Sequence, residues 1–116
     1  MRGIYLLVIR LDRPVRTNVG SLGRISFTPG YYVYVGSAQN SLEARIRRHL
    51  RKKKKHHWHI DYLLDFGQIV KIIVYPGLGK SWESRVANLL ARRYKPVPGF
   101  GSSDTDDVSH LFLLNG

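Results

Sequence analysis

The amino-acid sequence predicts an α+β fold in one domain, a small antiparallel β-sheet flanked by helices. Three observations carry that expectation. At 116 residues, 43% of them hydrophobic, the chain is long enough for a single core and too short for two. Apolar runs rich in β-branched and aromatic residues recur at 4–11, 24–28, 31–36, 68–75 and 110–114. Three further stretches, 41–50, 58–64 and 81–94, read as helices from their apolar spacing and cap residues.

Ile4–Leu11 (IYLLVIRL) reads as a buried strand, ended by Asp12-Arg13-Pro14. A polar stretch with Asn18, Gly20 and Gly23 follows. Arg24–Thr28 alternates as a short strand, and Pro29-Gly30 supplies turn chemistry: proline fixes φ and glycine accepts the positive φ of a type II turn. Tyr31–Gly36 (YYVYVG) then reads as the return strand of a hairpin. Period two sends Tyr32 and Tyr34 to one face, and Tyr31, Val33 and Val35 to the other. Ser41 is a natural N-cap, and Leu42, Arg45 and His49 share one side of the helix behind it. Trp58–Leu64 reads as a second, short helix and Gln68–Tyr75 as a strand closed by Pro76-Gly77. Ser81 is expected to cap a third helix, Trp82–Tyr94, which Lys95-Pro96-Val97-Pro98-Gly99 stops. A Gly/Ser/Asp-rich loop over 99–107 leads into a last strand, His110–Leu114. Residues 1–116 show no internal repeat or linker.

Composition narrows the partners. The absence of cysteine excludes disulfides and thiolate metal sites. Nineteen Lys and Arg against eight Asp and Glu give a net charge of +11, a field that concentrates polyanions, so nucleic acid is the leading partner. Seven of the nine residues from 47 to 55 are cationic: Arg47, Arg48, Arg51, Lys52, Lys53, Lys54 and Lys55. They read as a phosphate-tracking arm with steep salt dependence. No apolar run approaches the roughly 18 residues of a membrane helix, so no membrane partner is expected. The N-terminal MRGIYLLVIRLDRP is interrupted by Arg10, lacks a small-residue cleavage site and reads as a strand, which points to a cytoplasmic protein. Trp58 is either a helix anchor or a ring on which a base stacks. His56, His57, His59 and Asp61, and the stretch Asp104–Asp107 with His110, are weaker candidates for a metal ion.

Two tripeptides give the chain its sharpest signal. Gly3-Ile4-Tyr5 lies at the start of the first strand, and Tyr34-Val35-Gly36 ends the strand that precedes the arginine-rich helix. Arg45 and His49 follow on that helix, and Glu83 opens a later one. This ordered set resembles the signature of the GIY-YIG nuclease superfamily, closest to a small, single-domain, largely archaeal branch, over about residues 3–100. The resemblance implies a GIY-YIG endonuclease-like fold and a metal-dependent endonuclease that hydrolyses nucleic-acid phosphodiester bonds, in DNA before RNA. It implies that Tyr5 takes a proton from the attacking water, that Tyr34 positions the water or phosphate, and that Glu83 holds one Mg²⁺ or Mn²⁺ ion.

The chemistry asks for these residue types. A guanidinium at Arg45 can donate two parallel hydrogen bonds to non-bridging phosphate oxygens. A cation on Glu83 stabilises the leaving oxygen. A phenol with pKa near 10 needs a neighbouring cation or metal before it acts as a base at neutral pH. His49, on the same helix side as Arg45, is a second candidate for proton handling and is expected to titrate near neutrality. One departure from the family pattern stands out. Many members carry an asparagine shortly after the metal-binding helix, and Tyr94–Gly101 (YKPVPGFG) has none, Asn88 lying inside the helix and Asn115 at the end. A non-catalytic nucleic-acid-binding module on the same fold is therefore the alternative. A nuclease this small is also expected to use a protein partner or a homodimer to cut both strands.

Overall fold

Every strand neighbour in the main sheet of this computed structural model, which describes residues 1–114, is antiparallel. Two nine-residue strands form its centre, β1 (Gly3–Leu11) and β4 (Gly30–Ala38), paired over their full length from Gly3 opposite Ala38 to Leu11 opposite Gly30. Their length and their apolar residues on both faces favour this pairing, which buries two alternating sets of side chains at once. On the far side of β1 lies β5 (Gln68–Pro76), with a register shift between Val8 and Ile9. On the far side of β4 lie β7 (Leu111–Leu113) and the two-residue β6 (Lys95–Pro96), giving the order β5-β1-β4-β7-β6.

Helices cover both faces, and the architecture is α+β. Leu7, Ile9, Leu11, Tyr32 and Tyr34 pack with α1 (Leu42–Leu50) and α2 (His59–Leu64) through Leu42, Ile60 and Leu63. Ile4, Leu6, Val33, Val35 and Phe112 pack on the opposite face against Val86, Ala87 and Leu90 of α3 (Ser81–Ala91). The period-two reading of the second tyrosine-rich strand holds: Tyr32 and Tyr34 lie on one face, Val33 and Val35 on the other.

Three expectations are corrected. The run 24–28 does not form a hairpin with 31–36. As β3 (Arg24–Phe27) it pairs with β2 (Val15–Asn18), a strand inside the stretch read as polar loop, and the two form a separate ribbon. Only one side of β2 is half-buried, so its alternation offers little apolar signal. Phe27 and the adjoining Val19 are buried in the core on the α1–α2 side. Ser81 does not cap α3 but is its first residue: Lys80 before it already has helical φ and ψ, and no side chain caps that end. His110 lies just before the last strand rather than in it. Ser41, in contrast, accepts a hydrogen bond from the Ala44 amide at 3.1 Å, as its N-cap role requires.

Candidate active site

Tyr5 and Gly36 face each other across the β1–β4 pair. A Cβ at Gly36 would fall on the Tyr5 phenol itself. The glycine of the second tripeptide thus lets the ring of the first lie flat across the neighbouring strand. Gly3 is constrained likewise, since its missing Cβ would meet the Tyr75 carbonyl oxygen at 2.5 Å and Leu42 at 2.6 Å. Two positions along β4, Tyr34 takes the same face, its ring 6.4 Å from that of Tyr5.

Helix α1 brings the cation and the imidazole. Arg45 donates from Nη1 to the Ser37 carbonyl at 2.9 Å, and its guanidinium lies 4.4 Å from the centre of the Trp58 ring. Its charge also acts on the Tyr5 phenol, lowering its pKa. One turn on, His49 is buried, with Nε2 2.7 Å from the Tyr5 hydroxyl and its ring 6.2 Å from Tyr34. Glu83 belongs to the layer on the opposite face, in the first turn of α3. It is 8% exposed, and its charge reaches both tyrosines, raising the pKa of each. Arg45 and Glu83 thus each act on both tyrosines, His49 contacts Tyr5 directly, and Tyr34 lines an open cavity of 170 Å³ with Trp58, His59, Gly101 and Asp104.

Burial decides the electrostatics. It pushes Tyr5 up to about 12 against the opposing pull of Arg45, and it pushes Tyr34 well above the ordinary phenol value. It pushes His49 down to about 4, with Arg45, Arg48 and Lys54 acting in the same direction and Asp61 against it. The expectation that His49 titrates near neutrality is thus corrected: it is a neutral imidazole at pH 7. The Glu83 carboxyl is raised by burial, and His110 and Lys80 oppose the shift.

The basic arm divides. Arg47, Arg51, Lys52, Lys53 and Lys55 are exposed. Arg48 is not part of that surface. Its guanidinium makes a bidentate pair with the fully buried Asp61, 3.0 Å at each contact, and lies 4.5 Å from the Trp58 ring centre. Asp61 also accepts the amides of His57 and Trp58, so it ties the start of α2 to α1. The Arg48 pair, together with backbone hydrogen bonds, holds the Asp61 pKa below its ordinary value against the opposing effect of burial. Lys54 turns back onto the Arg51 carbonyl at 2.5 Å and the His49 carbonyl at 3.2 Å, closing the C-terminus of α1. Trp58 is held between α1 and α2 by the two arginines, in keeping with the helix-anchor reading.

The histidine cluster disperses. His56 pairs with Asp65 at 2.7 Å, and His59 Nδ1 accepts the Gly101 amide at 2.8 Å, fastening the 99–107 loop to α2. Among the described residues no group of three or more His, Asp or Glu side chains gathers as a metal site. Asn88 is exposed on α3, and Asn115 lies outside the described residues. The sequence reading missed the contact of His110 with Glu83. His110 is 1% exposed, its Nδ1 3.9 Å from Glu83 Oε2 and its Nε2 2.8 Å from Asp107 Oδ2. An Asp-x-x-His spacing after a glycine-rich loop was visible, but no pattern linked it to a helix more than twenty residues earlier.

Glu83 suits a single hard divalent ion. Its carboxylate accepts no hydrogen bond within 3.5 Å from another described side chain, its nearest cationic contact being Lys80 Nζ at 3.6 Å. One carboxylate is enough for an ion that retains several waters. No curated protein and no solved structure matches the chain. A family match spans residues 4–116, and the chain belongs to that family, the domain of unknown function DUF123.

Proposed function

We propose that the chain is a divalent-metal-dependent endonuclease of the GIY-YIG type, hydrolysing phosphodiester bonds of nucleic acid and preferring DNA. The observation that carries this reading is that Tyr5, Tyr34, Arg45 and His49 lie together, with the charge of Glu83 reaching both tyrosines and Tyr34 lining an open cavity. Composition supports it, since a +11 chain attracts a polyanionic substrate.

The residues divide the work. As a neutral imidazole 2.7 Å from the Tyr5 oxygen, His49 accepts the phenolic hydrogen bond and orients Tyr5 so that its oxygen lone pair is left for the attacking water. A buried phenol raised to about 12 is a poor base alone, and Arg45 is the cation that opposes that shift. Arg45 is held by Ser37 and Trp58, so its orientation is set before substrate arrives and its charge meets the phosphate at little reorganisation cost. Tyr34 supplies a neutral hydroxyl for orienting water or phosphate. A divalent ion held by Glu83, when bound, supplies charge neutralisation at the phosphate and at the leaving oxygen.

The test is cleavage of labelled single-stranded, duplex and branched DNA and RNA with Mg²⁺, Mn²⁺ or EDTA, wild type beside Tyr5→Phe and Glu83→Ala. Metal-dependent cutting by wild type that both substitutions abolish is the expected result, with DNA cut faster than RNA. Binding without cutting by wild type, unchanged in Glu83→Ala, would make the chain a nucleic-acid-binding module instead.

A further inference from the structure

His110 sits between two carboxylates at the start of β7. Its Nε2 is 2.8 Å from Asp107 Oδ2, and the same oxygen accepts the Ser84 hydroxyl at 2.6 Å. A carboxylate only accepts, so in the neutral ring the proton lies on Nε2 and the lone pair on Nδ1, whereas a protonated ring would donate from Nδ1 toward Glu83. That Nδ1 is buried, has no hydrogen-bond partner among the described residues, and faces Glu83 Oε2 at 3.9 Å. With the ring neutral, two acceptors point at one another with no donor between them. Buried polar atoms are ordinarily satisfied, and a cation satisfies both of these at once. The other Glu83 oxygen, Oε1, is turned toward Lys80, whose well-exposed side chain also contacts Asp104 at 3.5 Å.

We infer that Glu83 Oε2 and His110 Nδ1 form one mixed oxygen–nitrogen cation site, oriented through the far ring nitrogen by Asp107, which takes Mn²⁺ in preference to Mg²⁺. This rests on Glu83 as the metal ligand of the proposed function, and it adds a second ligand and a choice of ion. Metal–ligand bonds of about 2.1 Å let one ion bridge donors up to about 4.2 Å apart, and the observed gap falls inside that span. Mg²⁺ favours an all-oxygen shell, whereas an imidazole suits first-row transition metals. An Asp–His–metal chain fixes the tautomer and raises the basicity of the ligating nitrogen, which is the arrangement of Asp107 and His110. Two protein donors leave the remaining positions to water and phosphate oxygens. That agrees with the lack of any three-residue cluster among the described residues.

The test is binding rather than activity. Mn²⁺ is titrated into the full chain and followed by electron paramagnetic resonance, with Mg²⁺ as competitor, for wild type, His110→Gln, Asp107→Asn and Glu83→Gln. Wild type is expected to hold Mn²⁺ at least about tenfold more tightly than Mg²⁺. His110→Gln should weaken Mn²⁺ binding by about tenfold or more and erase the preference, and Asp107→Asn should weaken it by about tenfold. Because His110 is buried, a second readout uses wild type alone: in the imidazole ¹⁵N spectrum, Zn²⁺ as a diamagnetic probe should shift His110 Nδ1. Mn²⁺ binding unchanged in His110→Gln but lost in Glu83→Gln would overturn the inference and leave the nuclease reading standing. No Mn²⁺ binding to wild type, or no movement of the Nδ1 resonance, would overturn it as well. An intact Mn²⁺–His110 site in a protein that cuts nothing would remove the nuclease reading instead.

Discussion

Tyr5 and His49 share a 2.7 Å hydrogen bond, and burial moves both away from their charged forms. That has a consequence for pH. His49 binds its proton near 6.5 when unfolded and near 4 when folded. Between those values the unfolded chain holds more protons, so stability rises with pH there and is flat below about 4 for this group. The expected contribution at neutral pH is roughly 3 kcal/mol, lost progressively as pH falls from 6.5 to 4. His59 is shifted in the same direction, so His49→Gln should flatten that part of the profile without abolishing it. Urea unfolding at several pH values in that window measures the slope; an unchanged slope in the variant would contradict the buried neutral imidazole. Gly36→Ala is expected to destabilise by about 1–3 kcal/mol, because the new methyl displaces the Tyr5 ring. It should also lower any activity further than that loss explains. At this scale the residue types were legible in the sequence and their environment was not: a histidine at the right helical spacing looks the same whether buried or wet.

Between elements, the Arg48–Asp61 pair holds α1 and α2 together, and the strand pairing shows how far local patterns reach. Asp61 is fully buried and takes hydrogen bonds from Arg48 and two amides, so removing its partner leaves an uncompensated charge. Arg48→Ala is therefore expected to destabilise by about 3–5 kcal/mol. Arg47→Ala, one residue earlier and exposed, should stay within about 0.5 kcal/mol of wild type. Equal Tm values for the two variants would refute the assignment. Within a run of seven cations, composition could not single out Arg48, because the residue that decides its direction, Asp61, lies thirteen positions on. The three helices were placed by local spacing signals, although the Ser81 cap failed and α3 ends at Ala91, short of the expected Tyr94. The strand partners were not: β1 and β4 are separated by the β2–β3 ribbon, and only three-dimensional pairing shows that Pro29-Gly30 is no hairpin turn.

At the scale of the whole molecule, a net charge of +11 supports the proposed polyanionic substrate. Five exposed cations remain in the arm: Arg47, Arg51, Lys52, Lys53 and Lys55. If all five contact phosphates, log Kd against log salt has a slope of magnitude about 4–5, and the triple change Lys52, Lys53 and Lys55→Ala reduces it by about 3. Fluorescence anisotropy of a labelled duplex across a salt series reads both numbers, and a slope near zero would contradict an arm that tracks the backbone. The ordered Tyr, Tyr, Arg, Glu set was legible because it spans four separate elements. His110 was named only with Asp104–Asp107, and its contact with Glu83 was missed because it comes from a loop without a pattern of its own. The central claim is that the Tyr5–Arg45–Glu83 constellation cuts phosphodiesters, and single-turnover cleavage by wild type and Arg45→Ala with saturating Mn²⁺ tests it most directly. The account predicts cutting by wild type and a rate lower by about 10²–10³ in the variant, with binding little changed. A wild type that binds but never cuts, or an Arg45→Ala that cuts equally fast, would contradict it.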